Sequence, residues 1–160
     1  MDTGVFYALF DTSDLHHLDS VELLTHALEG KFGRPYGTDY AVLETTMLLK
    51  VRTGGKATLS LLTLLERGSI SIIVVGEESY KRARSLFKEK ISRLSLCDAA
   101  TLVVMEELGI NQLASYDERS FSGLAKSIVG RGYFESLPEN EKRQIRESTR
   151  RNLKTAGTEG

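Results

Sequence analysis

Apolar residues recur along this chain in two rhythms, one of about 3.6 residues and one nearly continuous, and the switches between them lay out its elements. A short apolar run covers residues 5–10, and helical spacing follows over 14–29, closed by Gly30. Gly33, Pro35 and Gly37 mark a loop. Thr38 reads as the N-cap of a helix reaching Thr53, and Gly54-Gly55 separates it from another that ends near Arg67. The run 70–75 is β-branched at every position but Ser71 and is bounded by Gly68 and Gly76, which predicts a buried parallel strand. Helical spacing resumes over 77–91, breaks near Arg93, and returns over 95–108 until Gly109 stops it. Residues 112–116 predict a short strand that ends at Asp117. After Pro138 charge dominates, with Ile145 and Leu153 among the few apolar residues. That tail reads as a solvated helix with Pro138 in its first turn, or as disorder. No internal repeat is visible. Helices alternating with strands predict an α/β sandwich of three layers, a mostly parallel central sheet flanked by helices. The expected division is a domain over 1–136 and a charged tail over 137–160.

Composition narrows the setting. A chain of 160 residues that is 41% hydrophobic and 27% charged suits one domain with a real core. The formal net charge of -1 means that any contact with nucleic acid must come from a local basic patch; composition neither supports nor excludes RNA. The single cysteine, Cys97, excludes an internal disulfide and a cysteine-built zinc site, and its apolar surroundings read as core. No apolar run reaches the length of a membrane span, and no basic and apolar leader opens the chain, so a cytoplasmic home is expected.

Four carboxylates carry the candidate chemistry: Asp2 in the opening Asp-Thr-Gly, Glu44 in an apolar helical run, Asp98 in Leu-Ser-Leu-Cys-Asp-Ala-Ala, and Asp117 in Ala-Ser-Tyr-Asp. On a helix begun at Thr38, residues Ala41, Glu44, Leu48 and Val51 share a face, expected to be the buried one. A carboxylate there needs a cation or a mouth of solvent; the alternative is a glutamate at the stripe's edge, paired with a lysine or arginine. Asp98 is third in a helix capped by Ser95, where a carboxylate can cap backbone donors, and it also lines up with Leu102 and Met105. Asp117 follows a strand, where ligands collect in open parallel sheets, although a turn or N-cap role competes. If these acids converge, their repulsion calls for a divalent ion of the magnesium or manganese type, and metal-dependent phosphodiester cleavage follows.

The opening 2–9, Glu44 on its helix, the block 94–99 and the block 113–121 together resemble the signatures of PIN-domain nucleases, the VapC-type toxins most of all. The likeness runs from the first residues to about Phe134, with the acids in the family's order. It implies that Asp2, Glu44, Asp98 and Asp117 bind Mg²⁺ or Mn²⁺ and that the chain is an endoribonuclease, the toxin of a toxin-antitoxin pair. Thr3 and Ser115 match positions that place a hydroxyl beside the acids. Lys50, Arg52 and Arg119 are candidates for RNA phosphates, with a plain solvated surface as the competing reading. RNA substrate, an antitoxin protein and a homodimer are implied partners. His16, His17 and His26 are expected to be surface or packing residues. In such proteins a full apolar strand precedes the first acid; here only Met1 does, so the first strand reads as truncated, and a terminal ammonium there would compete with a cation for Asp2.

The same acids also bear on other families. Asp-Thr-Gly also occurs in aspartic proteases, which are all-β and pair two such carboxylates; the helical periodicity rejects them. A phosphoacceptor receiver domain gathers acids at strand ends but has no need of Glu44. A housekeeping RNA-processing nuclease, or a PIN-like module that binds RNA or protein without cutting, remains the alternative.

Overall fold

The computed structural model describes the backbone of residues 1–156 and side chains through residue 147. Its sheet layer is two parallel ladders. β1 (Tyr36–Thr38) pairs with β2 (Ser71–Ile73), and β3 (Gln112–Ser115) pairs with β4 (Ser127–Gly130). Met1 and Asp2 sit between them: the Met1 amino group donates to Tyr36 O and Asp2 N donates to Ala114 O at 3.0 Å. Residues 1–2 thus link the two ladders through one hydrogen bond to each.

Helices enclose this layer. α1 (Thr3–Phe10) follows directly, with Asp2 as its N-cap, and packs on α2 (His17–Leu28), α3 (Asp39–Arg52) and α4 (Gly55–Glu66). Their contact buries Phe6, Leu24, Ala41, Leu49 and Leu61. α5 (Glu77–Glu89) and α6 (Leu96–Glu107) pack together over Ala83, Ala99, Ala100 and Val103. α7 (Glu118–Phe121) is a single turn after β3. α8 (Glu139–Ala156) begins after Pro138, the helical alternative for the tail, and its Ile145 packs with Phe134 and Leu137 against α2's Leu18. Residues 157–160 of that tail, and the side chain of Leu153, lie outside the described residues. Among the described residues no helix is long and apolar enough to cross a membrane.

Three expectations are corrected. Residues 36–38, read as loop because of the glycine and proline around them, form β1: Gly37 is accepted in a strand because a Cβ there would stand 3.0 Å from the Phe6 ring. The strand over 70–75 shrinks to three half-buried residues with Val74 75% exposed, because β2 is the outer partner of its ladder. The buried stripe of α3 is Ala41, Thr45 and Leu49, not the face through Leu48 and Val51, and Val51 is 84% exposed. Thr45 is tolerated inside because its hydroxyl donates to Ala41 O at 2.6 Å, so a polar residue hid the true phase.

Candidate active site

Each acid accepts at least one hydrogen bond from a backbone amide or a hydroxyl, Asp98 and Asp117 from their own segments and Glu44 from a distant one. Asp2, 6% exposed, accepts from Thr3 N at 2.7 Å as the cap of α1 and from Ser115 Oγ at 2.7 Å at the end of β3. The same Ser115 hydroxyl accepts from Asp117 N at 3.1 Å, so one buried oxygen ties Asp2 to the segment that carries Asp117. Thr3 Oγ1 donates to Glu44 Oε2 at 2.8 Å, joining α1 to α3. Asp98 and Ser95 form a reciprocal capping box: Ser95 N donates to Asp98 Oδ2 at 2.7 Å, and Asp98 N donates to Ser95 Oγ at 3.0 Å. Asp117 caps α7, accepting from Ser120 N at 3.0 Å and from Ser120 Oγ at 2.6 Å.

Electrostatics tie the four together. Desolvation raises Asp2 from 3.8 to about 6, partly offset by the Ser115 hydrogen bond and reinforced by the charge of Asp98. Asp98 is also pushed up, first by burial and then by the charges of Glu44 and Asp117. Asp98 therefore lies within electrostatic reach of the other three acids. Burial pushes up the Cys97 thiol, whose sulfur sits 3.6 Å from Thr3 Oγ1 and feels both Glu44 and Asp2. The Met1 ammonium, driven down to about 6 by burial, spends its hydrogen bond on Tyr36 O, and its charge only partly eases Asp2.

The donor set is hard carboxylate oxygen, which suits Mg²⁺ or Mn²⁺ and not a thiolate-seeking metal. As placed, no three acidic, histidine or cysteine side chains among the described residues converge on a single ion point, and each of the four acids accepts a hydrogen bond from a protein donor. Binding an ion requires carboxylates to exchange those hydrogen bonds for the cation.

The expected site residues divide by location. Asp2, Glu44, Asp98 and Asp117 come together, with Thr3 and Ser115 as the hydroxyls between them. Glu44 sits beside the buried stripe of α3 and is half-exposed, while Asp117 is exposed. Asp98 and Asp117 also cap α6 and α7, alongside their place in the cluster. Lys50, Arg52 and Arg119 are exposed; Lys50 and Arg52 lie in the last turn of α3, with the Arg52 guanidinium 5.8 Å from the centre of the Tyr7 ring. The histidines pack: His16 stacks on Tyr116 at 4.1 Å, His17 Nδ1 meets Ala8 O, and His26 Nδ1 meets the Tyr133 hydroxyl. Sequence reasoning missed Arg93, whose Nη2 reaches the carbonyls of Arg119, Ser120 and Ser122 at 2.8–3.0 Å, and Ser120, whose hydroxyl also bonds Arg93 O. An arginine at a helix break carries no local signal for such a clasp.

The PIN domain family profile matches residues 1–127, a span that holds all four acids and both ladders up to the start of β4. This chain belongs to the PIN-domain family. Within it, the chain is 37% identical over 147 residues to the VapC ribonuclease of Archaeoglobus fulgidus, covering 91% of this chain and 90% of that one. It is 27% identical over 139 residues to Ribonuclease VapC26 of Mycobacterium tuberculosis, covering 86% and 98%. The PIN fold is matched by the crystal structure of Mycobacterium tuberculosis VapC20, a sarcin-ricin loop cleaving toxin, with a TM-score of 0.67 and 20% identity over 78% of this chain and 95% of that chain.

Proposed function

We propose that this PIN-domain protein is an endoribonuclease that hydrolyses RNA phosphodiester bonds with Mg²⁺ or Mn²⁺, and that it is the toxin of a toxin-antitoxin pair. The observation that carries the reading is Asp98, at the start of α6, which has Asp2, Glu44 and Asp117 within electrostatic reach. Similarity to VapC ribonuclease over 91% of the chain supports the RNA substrate.

Asp2, Glu44, Asp98 and Asp117 would hold the ion. When bound it supplies Lewis-acid stabilisation of phosphoryl charge and makes water a stronger nucleophile. Ser115, Thr3 and Ser120 fix the carboxylates of Asp2, Glu44 and Asp117, respectively. Exposed Lys50, Arg52 and Arg119 hold RNA phosphates and set its register. The catalytic domain spans 1–136, and α8 is an addition to it. An antitoxin protein and a second copy of this chain are the proposed partners.

The test is digestion of a single-stranded RNA by the purified chain with Mg²⁺, Mn²⁺ or EDTA, beside Asp98→Asn. Cutting in either metal, abolished by EDTA and reduced at least ~100-fold in a folded Asp98→Asn protein, supports the proposal. Undiminished cutting in EDTA overturns the metal. RNA binding without cutting under every condition transfers the family's fold here to a non-catalytic role.

A further inference from the structure

In open parallel sheets ligands collect beyond the carboxyl ends of the strands, and the β3–β4 ladder ends there with Ser115 beside Gly130. The next residue along β3 is Tyr116, followed by Asp117, and the next along β4 is Arg131. Across this end the Arg131 Nη2 donates to Tyr116 O at 3.3 Å. That carbonyl belongs to the peptide whose nitrogen, Asp117 N, donates to the Ser115 hydroxyl at 3.1 Å. The Arg131 guanidinium is therefore held against the same peptide that positions Asp117.

The rest of this side chain is uncommitted. A guanidinium carries five N–H donors in a planar fork, and the bond to Tyr116 O uses one of them. Arg131 is exposed, and no carboxylate among the described residues forms an ion pair with it. By contrast, Arg93 is spent on the carbonyls of Arg119, Ser120 and Ser122, and Arg82 on Glu106 and Glu107. A cation anchored beside Asp117 but left unpaired by the protein is available to an anion from outside. We propose that Arg131 binds a backbone phosphate of the RNA next to Asp117, through the N–H groups that Tyr116 O leaves free. The bond to Tyr116 O sets the position of the fork before the ligand arrives, so less side-chain freedom is lost on binding. The identity of the polymer rests on the nuclease reading; the place of the phosphate rests on Arg131.

The test is fluorescence anisotropy of a labelled single-stranded RNA with the full chain in Ca²⁺, over a series of KCl concentrations, with a denaturing gel to confirm that the RNA stays whole. Arg131→Gln is expected to weaken binding about tenfold at low salt and to lower the slope of log Kd against log salt by about one, the signature of one lost phosphate contact. Arg131→Lys keeps the charge and loses the fork, so it should keep most of the slope. Lys81→Gln is the control. Lys81 pairs with Glu77 and Glu78 on α5, whose Arg82 meets the end of α6 remote from Asp98, and its loss should change neither value. An equal fall of the slope in Lys81→Gln makes the attraction a general surface field and overturns the site. An unchanged slope in folded Arg131→Gln, while the unaltered chain binds RNA and cuts it in Mn²⁺, overturns the site and leaves the nuclease reading standing. Failure of the unaltered chain to bind or cut RNA overturns that reading, and the site with it. If Arg131→Gln does not fold, the Arg131 Nε–H resonance of the unaltered chain is followed by NMR: saturating RNA should shift it, and an unmoved resonance overturns the site.

Discussion

Ser115 shows how much of the site depends on one atom. It is fully buried, donates to Asp2 and accepts from Asp117 N, so Ser115→Ala leaves a buried carboxylate with one partner fewer and an amide without its acceptor. The expected cost is about 1–3 kcal/mol, read from urea unfolding, with a ~10–100-fold loss of RNA cleavage. Asp2 itself gives a pH signature. Its folded pKa of about 6 exceeds its ordinary 3.8, so between these values the folded state holds more protons than the unfolded one. Its contribution to stability is therefore most favourable below about pH 4, declines as pH rises to about 6, and is level beyond. Asp2→Asn should remove that decline and stabilise the metal-free protein at pH 7 by on the order of 1–3 kcal/mol; urea midpoints at pH 4.5 and 7 check it, and equal slopes for both proteins would refute the assignment.

At the scale of elements, the β3–β4 ladder holds the site in register. A Cβ on Gly130 would stand 2.2 Å from Ser115 O, so β4 approaches Ser115 more closely than any side chain permits. Gly130→Ala must push the strands apart, at an expected cost of about 1–3 kcal/mol in thermal or urea unfolding, with cleavage falling through displacement of Ser115. By contrast, Gly123→Ala meets no atom within 4 Å and is opposed only by its φ of +73°, so it should leave cleavage unchanged. Elements of this kind were the hardest to read in sequence. β1 is three residues with a central glycine and β4 is four, too short for a period-two pattern to emerge, and their pairing is decided by contacts 15 or more positions away. Long helices such as α2, α3 and α6 were legible because caps and spacing are local properties: Thr38 does accept from Ala41 N, and Ser95 does accept from Asp98 N.

Across the whole molecule, a formal net charge of -1 gives RNA no general attraction, and the clustered acids oppose phosphate until a cation joins them. Mn²⁺ at pH 8 should therefore raise the melting temperature in a saturable way, and Glu44→Gln with Asp117→Asn should abolish the rise; an equal rise in the double variant would place the ion elsewhere. From the sequence alone, local caps and spacing set the helices that carry Glu44 and Asp98, because both act over a few residues, whereas the four acids as a set, with Thr3 and Ser115 beside them, came from resemblance to a family. Only tertiary structure decided that Asp98 stands within reach of the other three and that Arg93 clasps the turn after Asp117. It also decided that Met1 and Asp2 bridge two ladders. Those outcomes rest on long-range burial and backbone pairing, which no local pattern encodes.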